Sequence, residues 1–404
     1  MKHYSIFIIS SFFMFFCNLF SVAQENKLPP SFSFNNTKEE KNLSFLDSIA
    51  VNKRIIWLGE SDHRIEDFNE LKIDIIKYLH EKHGYNVVVF ESGFATCNLT
   101  NLVKKNMPSI DVLSHSLIGV WRCNSLCDFM QYIKDHNVQL AGMDPNNSAL
   151  PLNAALYSEI INNKALAAEL AETDSIALIA YEFKSDAFYN DKKHFNDKDT
   201  SELFNTKQLL IAKYDKIKSE LIASKANSVL VKTIDAKLYN LKNTNFDRKN
   251  EKMFYITNAR RDSLMAKNLE YITDTLYPNE KIIVWAHNAH ISKIPYDGPF
   301  SIPRFLNTKF YTESYIIGLY AGNGTYTWGY KNIKPEKIHI PKNSLENSFK
   351  SKNKKYIYYD AKVFQNIILP HNINGEYNFK SDISKLYDGI IIVNDVISSR
   401  LIRK

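Results

Sequence analysis

Three short apolar runs, each ending at an ionisable residue, do most to limit what this chain can fold into. They read Ile-Ile-Trp-Leu-Gly-Glu at 55–60, Val-Val-Val-Phe-Glu at 87–91 and Ile-Ile-Val-Trp-Ala-His at 282–287. Continuous runs of Val and Ile are typical of strands buried on both faces of a parallel sheet. The carboxyl ends of such strands meet at one edge, where α/β proteins bind ligands. We therefore expect these Glu and His residues to converge on one cleft.

The spacing of apolar residues around these runs predicts an α/β fold with a mainly parallel sheet flanked by helices. Residues 67–83 place apolar side chains three and four apart, which indicates an amphipathic helix that ends at Gly84. With strands at 54–60 and 86–91 on either side, this is a βαβ unit whose strands run parallel. Further strands are predicted at Gln139–Asp144, Lys281–Trp285, 314–320, 355–359 and Gly389–Val393.

The middle of the chain, from about residue 151 to about residue 277, has a different character. It contains no glycine and shows helical spacing throughout, which predicts an inserted bundle of roughly three to five helices. Within it, the polar residues 184–200 are expected to form a loop. We interpret residues 24–404 as a single α/β domain, with this helical-bundle insertion forming one wall of the cleft.

The first residues predict export. An apolar stretch at 6–20 is followed by Ser-Val-Ala at 21–23, so residues 1–23 are interpreted as a signal peptide that is cleaved after Ala23. The alternatives are a membrane anchor, which needs about 20 apolar residues, and a lipoprotein signal at Cys17, which needs a small residue before it. The mature protein is expected to be secreted or periplasmic, without stable membrane insertion.

Composition and missing motifs argue against several function classes. The formal net charge is +7 but the lysines are scattered, so no nucleic-acid partner is expected. Nucleotide-binding glycine motifs and the serine-hydrolase elbow are absent from the sequence. The three cysteines beyond residue 23 are best interpreted as small buried side chains, with a contact between Cys123 and Cys127 or a three-cysteine zinc site as alternatives.

The turn Gly-Glu-Ser-Asp-His at 59–63 carries the sharpest chemical signal. A histidine can take a proton from water near neutral pH, and a carboxylate can hold that histidine in position. His63 and Glu60 therefore form a candidate base and its partner. In the alternative interpretation, Ser61 or Asp62 only caps the helix that follows.

Other polar residues follow the remaining apolar runs. Glu91 ends four consecutive apolar residues, and a carboxylate there costs free energy unless it is paired. His287, Asn288 and His290 follow the run at 282–285. Each of them alone can be a satisfied core residue, but together at strand ends they favour a functional site.

This is where the chain resembles the erythromycin esterase family. The first family signature has Gly-Glu, two residues and His, then Glu-Leu-Arg or Glu-Leu-Lys on a helix, then a strand that ends in Glu. Here these are Gly59-Glu60, His63, Glu70-Leu71-Lys72 and Glu91. Trp-Ala-His-Asn-Ala-His at 285–290 closely matches the second signature. Supporting matches lie at 120–122, 142–144, 261–262, Met265 and Asn268.

The resemblance implies hydrolysis of the lactone of macrolide antibiotics by metal-independent attack of water, without a cofactor, and hence macrolide resistance. His63 would be the general base, and Glu60 and Glu91 would orient it and the water. His287 would steady the oxyanion or pass a proton to the leaving alkoxide. Lys72 would supply positive charge where many relatives have Arg. Contacts with the substrate are expected from His290, Asn288, Asp62 and Arg64.

The chain departs from the family pattern around His63. Many relatives have Ala-Thr before this histidine and Gly after it, whereas this chain has Ser61, Asp62 and Arg64. The added carboxylate and guanidinium can pair with each other, retune His63 or change which substrate fits.

Two further interpretations stay open. One is a metal-dependent hydrolase of another ester or amide, because Glu and His side chains are acceptable ligands for zinc or manganese. The ligands would be Glu60, His63, Glu91, His287 and His290. The other is a non-catalytic binding protein on the same scaffold.

Overall fold

The structure is a computed structural model that describes most of the chain. The described residues are 31–34, 42–189, 197–243, 251–295, 300–327, 329, 333–350, 353–373, 375–377 and 379–402. The predicted signal peptide, residues 1–23, lies outside them. None of the helices in the described ranges combines the length and apolar character that a bilayer crossing needs.

A mostly parallel sheet forms the centre of the fold, as predicted. In the described part of the chain it has eight strands, in the order β1-β9-β12-β6-β2-β5-β3-β4, and two small two-stranded sheets pair β7 with β8 and β10 with β11. Only β9 and β1, at one edge, run antiparallel to their neighbours. The strands are β1 (Phe32–Phe34), β2 (Ile55–Leu58), β3 (Tyr85–Gly93), β4 (Gln139–Asp144), β5 (Lys281–Trp285), β6 (Ser314–Ala321), β7 (Thr325–Tyr326), β8 (Glu336–Lys337), β9 (Tyr356–Asp360), β10 (Ile368–Pro370), β11 (Lys380–Asp382) and β12 (Gly389–Val393).

Helices cover both faces of this sheet. The helices in the described ranges are α1 (Asp47–Asn52), α2 (Glu66–His83), α3 (Phe94–Val103), α4 (Ser109–Ser116), α5 (Asn124–Asp135), α6 (Ala154–Tyr157), α7 (Lys164–Tyr189), α8 (Asp197–Ala223), α9 (Ser228–Asn243), α10 (Glu251–Tyr271), α11 (Asn288–Ile291), α12 (Thr308–Glu313), α13 (Leu345–Phe349) and α14 (Ile383–Leu386). The predicted amphipathic helix is α2, and Gly84 ends it in the left-handed conformation with φ of 70°.

Strand β2 is buried on both faces, as its apolar run predicts. Ile56 and Leu58 pack into one hydrophobic core, together with apolar side chains of α2. Ile55 and Trp57 point to the opposite core. Burying one such side chain stabilises the fold by about 1.5–3 kcal/mol, so this strand is a rigid support for the turn that follows it.

The register of β2, β5 and β3 places their carboxyl ends side by side at the same edge of the sheet. The predicted parallel strands β2 and β3 are not neighbours, because β5 lies between them and pairs in parallel with both. Trp285 of β5 is opposite Leu58 on one side and Phe90 on the other. The residues just beyond these three positions are the predicted Glu60, Glu91 and His287.

The glycine-free middle of the chain is helical, from α6 to α10. The expected loop at 184–200 is wrong at both ends, because α7 continues to Tyr189 and α8 begins at Asp197. Residues 190–196 lie outside the described part. Between these helices, Nζ of Lys237 lies 2.6 Å from each carboxylate oxygen of Asp174, so a buried ion pair links α7 and α9.

Candidate active site

The turn after β2 is held by Asn288, at the start of α11. A Cβ on Gly59 would lie 2.0 Å from Oδ1 of Asn288, so glycine is required here because space is lacking. The backbone N–H of Asn288 donates to the carbonyl of Glu60 at 2.8 Å, and its Nδ2 donates to the carbonyl of Leu319 at 2.9 Å. Asn288 is fully buried, so the structure places this predicted substrate contact inside the scaffold.

Glu60 and His63 form the centre of the site. Nδ1 of His63 lies 2.5 Å from Oε1 of Glu60, and the indole N–H of Trp121 donates to the same oxygen at 2.9 Å. The ammonium of Lys72 donates to Oε2. Burial alone would raise the pKa of Glu60, but Lys72 and His63 lower it to about 2. Glu60 is therefore an anion at neutral pH.

An ionised Glu60 fixes the tautomer of His63. A carboxylate only accepts hydrogen bonds, so Nδ1 of His63 carries the proton and Nε2 is left with a lone pair. The side chain of His63 is 27% exposed, whereas that of Glu60 is 1% exposed. The site therefore has one basic nitrogen near solvent, Nε2 of His63, while the carboxylate of Glu60 that orients the ring is buried.

Lys72 acts on Glu60 from inside the protein. Its side chain is fully buried, and Nζ lies 3.9 Å from the centre of the Trp285 ring. Burial lowers the pKa of Lys72 to about 8, against the opposing effect of Glu60. The positive charge predicted at Lys72 therefore holds Glu60, the partner of His63.

His287 lies beside His63, with ring centres 5.1 Å apart. Nε2 of His287 lies 2.9 Å from the carbonyl of Ser61, so it carries a proton and donates. Its Nδ1 accepts from the backbone N–H of Ala289 at 3.1 Å. Burial, together with the nearby His63, lowers the pKa of His287 to about 3. His287 is a neutral imidazole that holds the turn carrying His63.

Glu91 belongs to a second, adjoining cluster. Its Oε2 accepts from the backbone N–H of His287 at 2.9 Å, and its Oε1 accepts from Nη2 of Arg261 at 2.8 Å. Arg261 also donates from Nη2 to Asp144 at 2.5 Å. Burial would raise the pKa of Glu91, but His290 and Arg261 hold it well below its usual range. Glu91 is thus hydrogen-bonded to this cluster and supports His63 only through its charge and through His287.

His290 completes the second cluster. Its Nδ1 lies 2.8 Å from Oδ1 of Asp262, and its Nε2 lies 3.0 Å from Nη1 of Arg261 and 3.2 Å from Oε1 of Glu91. Burial would lower the pKa of His290, but the carboxylates of Asp262 and Glu91 raise it. The predicted His290 is therefore part of a buried charge network.

Asp62 and Arg64 point away from each other. Oδ2 of Asp62 accepts from Nδ2 of Asn372 at 2.6 Å. Arg64 has a positive φ of 63°, and its guanidinium donates to the carbonyls of Gly329 at 3.0 Å and Ser399 at 3.1 Å. The geometry places Arg64 in a buried structural contact and leaves Asp62 beside His63.

Sequence reasoning gave no role to several residues of these clusters. Trp121, Arg261 and Asp262 entered only as supporting family matches. Asp144 ends β4 as Glu91 lies near the end of β3; the sequence predicts a strand that ends at this acid, but gave it no role in the site. Arg261 lies inside a long helix, where no local pattern marks it. Among the described residues, no three His, Cys, Asp or Glu side chains are arranged to hold a metal ion.

Comparisons with known proteins agree with this geometry. The sequence model of the family described as erythromycin esterase matches residues 80–396, which is more than half of the chain. YbfO of Bacillus subtilis (strain 168), provisionally named a hydrolase, is 28% identical over 79% of this chain and 77% of its own length. Erythromycin esterase type II of Escherichia coli is 25% identical over 63% of this chain and 64% of its own length.

Solved structures share the fold. A succinoglycan biosynthesis protein superposes with a TM-score of 0.65 at 17% identity, covering 89% of this chain and 92% of its own. A mutant of the erythromycin esterase EreC in its open conformation superposes with a TM-score of 0.60 at 16% identity, covering 93% of this chain and 100% of its own. Such identities show the fold alone. On the extent of the family match, the chain belongs to the erythromycin esterase family, and this membership supports a hydrolase activity.

Proposed function

We propose that the protein hydrolyses carboxylic esters with a water molecule activated by His63. The observation that carries the proposal is the contact between His63 and the buried, ionised Glu60. It leaves Nε2 of a partly exposed imidazole as the acceptor for a proton. A base held in this way accelerates water attack by about 10²–10⁴-fold.

The reaction needs only one residue to move the proton. Nε2 of His63 takes a proton from water while the hydroxide oxygen attacks the ester carbon. The tetrahedral intermediate then collapses, the bond to the leaving oxygen breaks, and His63 returns the proton to that alkoxide. Glu60 stabilises the imidazolium that forms between these steps. His287 positions the turn, because both of its ring nitrogens are already hydrogen-bonded.

We further propose a macrolide lactone as the substrate, with resistance to the drug as the consequence. The support is the family match and the similarity to an Escherichia coli relative named erythromycin esterase type II. This substrate assignment is finer than the ester-hydrolase proposal, and it is tested separately.

The experiment is mass spectrometry of erythromycin and of a panel of simple lactones and linear esters after incubation with the mature protein. Erythromycin that gains one water and loses its ring supports the macrolide proposal. Hydrolysis of other esters only would support the esterase and refute the macrolide assignment. A parent that converts no ester would refute the esterase and favour the binding-protein alternative.

We also propose that the protein is exported to the periplasm or the medium, from the apolar stretch at 6–20 and the small residues that follow it. N-terminal sequencing of protein from the native host tests this. A mature chain that begins at Gln24 in the periplasmic fraction supports export. An intact N-terminus in the cytosol would contradict it.

A further inference from the structure

A polar cavity lies beside the turn that carries His63. Its volume is about 300 Å³, at the lower end of the range for small-molecule sites. The wall includes Asp62, the residue directly before His63. The lining residues are Asp62, Tyr326, Glu336, Lys337, Ile338, His339, Asn372, Gly375 and Tyr377.

Asp62 brings an unsatisfied acceptor to this cavity. The residue is 4% exposed. Its Oδ2 accepts from Asn372 and Ser61, but its Oδ1 is buried and has no hydrogen-bond partner among the described residues. A buried carboxylate oxygen without a donor costs free energy, so a bound molecule that donates to Oδ1 would be stabilised here.

A second buried acid, Glu346, is linked to Asp62 through Asn372. The backbone N–H of Asn372 donates to Oε1 of Glu346 at 2.7 Å, while its side chain donates to Asp62. Oδ1 of Asn372 accepts from the N–H of Gly375 at 2.8 Å, so both ends of this side-chain amide are held in place. Oε2 of Glu346 is also buried, with no hydrogen-bond partner in the described part of the chain. Two buried carboxyl groups, one lining the cavity and one hydrogen-bonded to its wall at Asn372, thus each have an acceptor oxygen without a described donor.

The aromatic wall suits the same kind of ligand. Tyr326 and Tyr377 line the cavity, and the hydroxyl of Tyr377 has no hydrogen-bond partner among the residues described. Ring faces attract cations, and a phenol oxygen accepts from an N–H donor. At the exposed rim, Glu336 and Lys337 carry opposite charges that offset each other.

We propose that this cavity binds a protonated amine, with Oδ1 of Asp62 and the hydroxyl of Tyr377 as its acceptors. A charged N–H donor satisfies both oxygens and balances the buried acid, whereas a neutral hydroxyl supplies a donor without the charge. Because Asp62 adjoins His63, the amine is part of the ester substrate and selects it. That last step rests on the proposed hydrolase function; the binding of the amine does not.

Calorimetric titration of the mature protein at pH 8 tests the proposal without any turnover. The probes are 2-phenylethylamine, which is a cation at this pH, and 2-phenylethanol, its neutral counterpart. A charge-assisted hydrogen bond of this kind favours the amine by about tenfold or more in affinity. Equal affinity for the two probes would overturn the proposal.

Variants of Asp62 and Tyr377 test whether these two residues cause the preference for the amine. Asp62→Asn is expected to bring the ratio of affinities to about one, and Tyr377→Phe to weaken amine binding by about two- to fivefold. Asp128→Asn, at an exposed position on α5, removes the same charge elsewhere and keeps the ratio. If Asp62→Asn does not fold, Asp62→Ser removes the charge in a smaller side chain. An amine preference that survives loss of the Asp62 charge would refute the site.

The two proposals fail in different ways. A parent that binds the amine selectively but hydrolyses no ester would refute the esterase and keep the amine site. A parent that hydrolyses esters but binds both probes equally would refute the amine site and keep the esterase.

Discussion

Nδ1 of His63 lies 2.5 Å from Oε1 of Glu60, and Glu60 is held from behind by Lys72 and Trp121. This arrangement decides which nitrogen of His63 carries its proton. Glu60 therefore contributes to both catalysis and stability, because the carboxylate that orients the base is also the partner of the fully buried ammonium of Lys72.

Glu60→Gln is expected to lower both activity and stability. It removes the carboxylate partner of His63, which lowers kcat by about 10²-fold or more. It also leaves the charge of Lys72 buried without a partner, which destabilises the fold by about 3–5 kcal/mol. Ester hydrolysis and urea unfolding measure the two effects.

The double variant Glu60→Gln with Lys72→Met separates these effects. Removing the stranded ammonium is expected to restore much of the free energy of unfolding without restoring turnover. If turnover returned together with stability, Glu60 would be only a structural partner of Lys72.

Glu346→Gln is expected to stabilise the protein at pH 8 but not at pH 4. Burial, with a contribution from Asp62, raises the pKa of Glu346 from 4.5 to about 7. A raised folded-state pKa gives stability that is present below pH 4.5 and lost as the pH rises through about 7. The neutral Gln avoids that loss, so the gain at pH 8 is about 3 kcal/mol and it disappears near pH 4.

Urea unfolding at both pH values measures this difference. Glu182→Gln, at an exposed position on α7, is the matched control and is expected to leave stability unchanged within about 0.5 kcal/mol. A gain from Glu346→Gln that is equal at pH 4 and pH 8 would contradict a buried, titrating carboxyl.

Arg64→Gly is expected to be more stable than Arg64→Ala. Both variants lose the hydrogen bonds to Gly329 and Ser399, but φ at this position is 63°. Glycine adopts this conformation without the cost of about 1 kcal/mol that a Cβ adds. Thermal unfolding of the two variants gives the order, and a more stable Arg64→Ala would show that the backbone is relaxed there.

Gly59→Ala is expected to disrupt the turn before His63, because its Cβ would overlap Oδ1 of Asn288. Stability and esterase activity should both fall, by an amount that depends on how far the turn moves. Adding Asn288→Ala removes the nearest overlapping atom, and partial recovery is expected in a double-mutant cycle. Purely additive losses would mean that the two residues do not meet.

The strands that carry the site can be predicted from local sequence, because short continuous runs of Val and Ile are typical of strands buried on both faces of a parallel sheet. The same rule places Glu60, Glu91 and His287 at one edge. It does not reveal which hydrogen bonds each residue makes there. Those depend on Arg261 and Trp121, which are remote in sequence and come from helical segments rather than strand ends.

The residues next to His63 are where local reasoning fell short. The sequence suggested that Asp62 and Arg64 can pair, but the left-handed backbone at Arg64 turns its side chain toward Gly329 and Ser399. Which way a side chain leaves a turn depends on φ, and an arginine gives no sign in the sequence that its φ is positive, because this conformation is uncommon for residues other than glycine.

The most direct test of the central claim is the kcat/KM of His63→Ala on an ester that the parent hydrolyses. His136→Ala, at an exposed position beyond α5, is the control. The His63 variant is expected to lose about 10²–10⁴-fold in kcat/KM with its fold intact, and the control is expected to match the parent. A folded His63→Ala variant that retains the rate of the parent would contradict the assignment of His63 as the base.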